Sequence, residues 1–90
     1  MESFGSIVQP RRGLTATQVL GAVNDVFLER GYEGVIAQQW RDNTIFYAGA
    51  SPATRAVIQA EADAILQEVR GKIERQYHQV LPSTKIVGRV

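Results

Sequence analysis

One apolar stripe occupies most of the second half of this 90-residue chain. Ile58, Ala62, Ile65, Val69, Ile73, Tyr77 and Val80 recur every three or four residues, the spacing that lines side chains along one face of an α-helix. Ser51 fits an N-cap and Pro52 the first helical position. Ala53, Ala56, Ala60, Ala62 and Ala64 favour the helix, and Pro82 ends it. Started at Pro52 and carried through Gly71, such a helix is about 43 Å long at 1.5 Å per residue. No other segment is long enough to cover it. Its far half, with Val69, Ile73, Tyr77 and Val80, is therefore expected to overhang the rest of the domain and to meet a partner.

The remaining elements follow from local signals. Thr15 and Gln18 form a capping-box pair, with Leu14 and Val19 placed as a hydrophobic staple, so a helix starts near Ala16. Val19, Leu20, Val23, Val26 and Phe27 make its apolar face, and Arg30-Gly31 its stop, with Tyr32 placed to touch Phe27. Val35 to Trp40 and Thr44 to Ala48 read as strands joined at Asp42-Asn43, a pair that tolerates a tight turn. Two registers stay open. A two-residue turn puts Ile36, Trp40, Ile45 and Tyr47 on one face, whereas a three-residue loop sets Trp40 beside Phe46. Thr84 to Val90 returns to strand-like composition.

The fold class is thus α+β: a small antiparallel hairpin packed on two helices in the order α-β-β-α-β, with the last strand at a sheet edge or donated to a neighbour. Residues 1–13 are expected to be a leader or arm and residues 14–90 a single domain. Phe4, Ile7 and Val8 are the residues by which the arm would dock. The α-β-β-α-β order, with a turn, a strand, a glycine and an alanine-rich helix from Asn43 to Ala64, is similar in topology to BON domains and to the ring-building modules of secretion systems. That similarity spans about half the chain and carries no family residues over.

Composition narrows the function classes. Net charge is +1, too small for a global field, although both ends are mildly basic through Arg11, Arg12, Lys85 and Arg89. There is no cysteine, which removes disulfides, thiolate catalysis and Cys-ligated metals. The single histidine, His78, has no second ligand at metal spacing, and no nucleophile elbow or phosphate-binding glycine loop is present. The turn before Pro52 leads into a helix N-terminus able to hold an anion, as every helix start is. Glu61 and Glu68 share a helix side two turns apart, and Glu68 stands four residues before Lys72.

No catalytic, cofactor or metal residues are expected. The first function expectation is a non-enzymatic assembly subunit or adaptor, in a virion, a secretion ring or a similar complex. It would act through Phe4, Ile7, Val8, Trp40, Tyr47, Val69, Ile73, Tyr77 and Val80 on a protein partner or a second copy. The alternative is a small nucleic-acid-binding regulator using Arg11, Arg12, Arg55, Arg70, Lys72 and Arg75. No run is long and apolar enough for membrane insertion, and no secretion signal is recognisable, so a cytoplasmic or assembly-bound location is expected.

Overall fold

The structure, a computed structural model, describes residues 13–89, so Phe4, Ile7, Val8, Arg11 and Arg12 lie outside the described residues. Helix α1 (Ala16–Glu29) starts on the capping box: the Thr15 hydroxyl accepts from the Gln18 amide at 3.2 Å and the Gln18 side chain accepts from the Thr15 amide at 3.1 Å. It ends where Gly31 takes φ +80°. There the Tyr32 amide donates to the Phe27 carbonyl and the Gly31 amide to that of Leu28, the double bond of a Schellman stop. The Phe27 and Tyr32 rings meet at 5.9 Å.

Strands β1 (Ile36–Arg41) and β2 (Thr44–Ala48) form the hairpin, and its turn has two residues, Asp42 and Asn43, both at positive φ. Trp40 faces Ile45, as the two-residue register requires, but the ladder slips between Ala37 and Gln39. This bulge places two residues of β1 opposite one of β2 and exchanges the faces beyond it. Ala37 thus joins Tyr47 in the core, while Ile36 is turned out, 55% exposed. Where β1 begins and β2 ends the two backbones nearly touch. A Cβ at Gly49, which sits at φ +88°, would fall 2.1 Å from the Gly34 carbonyl oxygen, so only glycine fits there.

The long helical segment is not continuous. It divides at Glu61 into α2 (Pro52–Ala60) and α3 (Ala62–Tyr77), and no proline or glycine stands at the bend. Hydrogen bonding persists on both sides, from the Glu61 amide to Val57 and from the Ile65 amide to Glu61. Gly71, where a weak point would be anticipated, lies inside α3 without breaking it. Strand β3 (Lys85–Gly88) then pairs with β2 in parallel, giving a three-stranded mixed sheet in the order β1-β2-β3. The α+β class and the α-β-β-α-β order therefore hold, with the second helical element bent.

The far half of the stripe does not overhang the domain. α3 lies against α1, and Val69 and Ile73 are fully buried in the same core as Val19, Val23, Val26, Phe27, Ile45, Tyr47, Ile58 and Ile65. The Tyr47 ring meets Phe27 edge-on at 5.9 Å. Val69, Ile73 and Tyr47 are thus core residues rather than partner contacts, and Trp40 and Tyr77 are half-buried against that core. Only Val80, 76% exposed, stands free of it. His78 is exposed and turns left-handed at φ 55°, ending α3.

One ion cluster clamps the bend. Arg30, at the end of α1, bridges Glu61 at 2.7 Å and Glu68, and the Tyr32 hydroxyl donates to Glu61 at 2.7 Å. The two carboxylates on one side of the helix are thus brought together by a cation from another element. Lys72 reaches across to Glu29 at 2.7 Å instead of back to Glu68. The hydrogen bonds that Arg30 donates to Glu68 raise its guanidinium above its already high ordinary value, so Arg30 is the charged donor of the cluster.

Two tests follow from this packing. Ile65→Ala and Ile73→Ala should each lower stability in urea denaturation by about 2–5 kcal/mol, the range for emptying a buried aliphatic site. Ile73→Asp should unfold the chain as thoroughly as Ile65→Asp; a folded Ile73→Asp protein that merely ceased to associate would contradict the burial. The second test is of pH. Burial, and next the hydrogen bond to Glu61, push the Tyr32 hydroxyl above the usual tyrosine range. Because folding favours the protonated phenol, this contribution is complete below the ordinary value of about 10 and is lost as pH rises through the higher folded value. Tyr32→Phe should abolish that alkaline part of the stability loss when wild type and variant are denatured side by side.

Candidate nucleic-acid interface

The helices cover one face of the sheet, and the register determines what the other face carries. Arg41 pairs with Thr44 and Thr44 with Lys85; Gln39 pairs with Phe46 and Phe46 with Val87. Side chains directly opposite one another share a face, so these six form two cross-strand rows on the side away from the core residues Ile45 and Ile86. Phe46 is at the centre. The Arg89 guanidinium lies 4.8 Å and that of Arg41 5.4 Å from its ring centroid. Arg89 is also held by the hydrogen bond it donates to Gln39 at 2.6 Å.

Charge is segregated with respect to this face. None of the three strands contains an acidic residue, while Arg41, Lys85 and Arg89 bring three cations to the outer rows and their end. The nearest acid in sequence is Asp42 in the hairpin turn. By contrast α3 mixes Asp63, Glu68 and Glu74 with Arg70, Lys72 and Arg75. Lys72 is engaged by Glu29. The α3 cations therefore do not form a basic surface of one sign, whereas Arg55, on α2, stands beside the sheet, next to Gly88.

The two sheet edges are treated differently. At β1, Asn24 donates to the Ala37 carbonyl and accepts from its amide at 2.7 Å, occupying both outward groups as a neighbouring strand would. At β3, the Lys85 amide donates to the Asn43 carbonyl in the turn and the Arg89 amide to the Tyr47 carbonyl of β2, so by the two-residue period Ile86 and Gly88 direct their main-chain groups outward. Gln59 occupies only the Ile86 carbonyl, at 3.2 Å. Beside that edge runs a groove under α2, with one hollow of about 400 Å³ against Tyr47, Arg55 and Gly88 and a second of about 350 Å³ against Asp63, Leu66 and Lys85.

Two buried side-chain polar atoms have no hydrogen-bond partner among the described residues, the Trp40 indole nitrogen and the Tyr47 hydroxyl. At the opposite edge, Leu28, 74% exposed, and Ile36 flank a further hollow of about 390 Å³ with Tyr32. The Ser51 oxygen caps α2 itself, accepting from the Thr54 amide at 3.2 Å. Among the described residues no three His, Asp or Glu side chains converge as metal ligands would, and no helix is long and apolar enough to cross a membrane. No known protein family, curated protein or solved structure matches the chain, so the topological similarity to BON domains and ring-building modules brings no residue roles to it.

Proposed function

We propose that this protein binds single-stranded nucleic acid, without catalysis, on the open face of its sheet. The observation that carries the reading is Phe46 on the central strand, half-buried, with the Arg41 and Arg89 guanidinium groups over its ring, on a face whose strands contain no acid. Unstacked bases lie on aromatic rings and on guanidinium planes, and cations beside them meet the phosphates. A three-stranded face of this size offers a platform for a few nucleotides, and among the described residues its outer side carries no helix to enter a duplex groove. Arg41, Lys85 and Arg89 are the phosphate contacts in this reading and Phe46 the stacking centre. Arg55 adds a cation at the edge of β3.

A second reading, an assembly subunit or adaptor, is supported by a different feature. Leu28 and Ile36 leave an apolar patch at the α1–β1 edge, and patches of that kind favour protein contacts. Light scattering together with oligonucleotide binding at two salt concentrations separates the two. For the first reading, fluorescence anisotropy should show binding whose log K falls with log salt at a slope near −2, about 0.7 for each of three phosphate contacts. Lys85→Gln should flatten that slope by about 0.7 for all sequences alike, and Phe46→Ala should weaken binding by about tenfold, within the range for one stacked base. Binding unaffected by both substitutions would reject the face.

A further inference from the structure

We propose that the hollow between α2 and the free edge of β3 takes one unstacked nucleobase from a strand lying on the sheet face. This rests on the nucleic-acid reading above. Tyr47 is fully buried, yet its hydroxyl has no partner among the described residues. Leaving such a group unpaired is costly, and it suits a ligand that supplies the missing hydrogen bond. The hydroxyl lies where Gly88 and Arg55 converge: a methyl group at Gly88 would sit 2.8 Å from it and 2.9 Å from the Arg55 stem. Glycine thus keeps this corner open, and the Arg55 stem is its only movable cover among those contacts.

The open groups at that corner are those a single heterocycle needs. Gly88 turns one N–H donor and one carbonyl acceptor outward, side by side, and the Tyr47 hydroxyl adds a third polar group, while Pro52, Ala56 and Val87 supply apolar walls. A peptide adding as a fourth strand fits less well. Strand addition uses consecutive outward residues, and Gln59 already occupies the Ile86 carbonyl, leaving Gly88 alone fully open within β3. Swinging Arg55 to a phosphate of the same strand would uncover the Tyr47 hydroxyl. The hollow opens off the edge that bears Val87 and Lys85, so one strand can touch both surfaces.

Anisotropy with the full chain, using single-stranded homopolymers of each base in DNA and RNA, tests this. Wild type should favour one base by about tenfold, as expected for one recognised base edge. Tyr47→Phe should shrink that preference severalfold and leave the salt slope unchanged. Its thermal midpoint should stay level or rise, since an unpaired hydroxyl has been removed. Gly88→Ala, which plugs the corner, should also abolish the preference, and millimolar mononucleotide should shift the Ile86 and Gly88 amide resonances in wild type. Salt-dependent binding with no base preference, or a preference that survives both variants, overturns the hollow while leaving the sheet-face reading in place. A Tyr47→Phe midpoint well below wild type would show that the hydroxyl is satisfied within the fold and overturns it too. Absence of any oligonucleotide binding overturns both.

Discussion

The bend at Glu61 is the constraint on which the other features depend. A straight helix from Pro52 to Tyr77 would be about 39 Å long, whereas strands of four to six residues extend about a third to a half of that distance. A chain this small cannot leave half an apolar stripe in water, because its core is marginal to begin with. With the helix divided at Glu61, α2 packs beside β3 while α3 packs against α1 with Val69 and Ile73 in the core. The Arg30 fork on Glu61 and Glu68 ties the bend to the end of α1, so the helix stop at Gly31 and the helix bend are parts of one junction.

Local signals in the sequence were sufficient wherever one residue decides a conformation. The Thr15–Gln18 box, the Gly31 stop, the Ser51-Pro52 start and the Asp42-Asn43 turn all appear where their chemistry places them. Tertiary choices were not legible. The stripe holds its helical phase through residues 60–62, and no local breaker marks the bend; its clamp comes from Arg30, thirty-one residues away from Glu61. The bulge that turns Ile36 outward is likewise invisible to simple alternation. The site was half readable. A two-residue turn places Arg41 and Phe46 on one face, but Lys85 and Arg89 reach it only because β3 pairs in parallel with β2 after a helical crossover.

Edge protection and charge placement point the same way. An unpaired strand edge invites association, and amide side chains that imitate a strand are one means of blunting it. Asn24 does this completely at Ala37, whereas Gln59 does it by half at Ile86. The better-guarded edge lies beside the apolar Leu28–Ile36 patch, and the partly open one adjoins the cations. At β1 the outward main-chain groups of Ala37 are occupied. At β3 only the Ile86 carbonyl is.

Phe46 and Tyr47 show how adjacent residues of one strand divide these tasks. Successive side chains point to opposite faces, so Phe46 lies half-buried beneath two arginines on the outer face while Tyr47 lies in the core and lines the hollow at β3. Gly88, paired with Tyr47 in the parallel register, has no side chain against the buried Tyr47 hydroxyl, which lies beside the Arg55 stem. Val87, paired with Phe46, lies on the outer face and also lines the groove. The central strand thus reaches two different surfaces that meet at β3. A ligand long enough to pass from one to the other would be fixed by stacking on the first and by hydrogen bonds on the second.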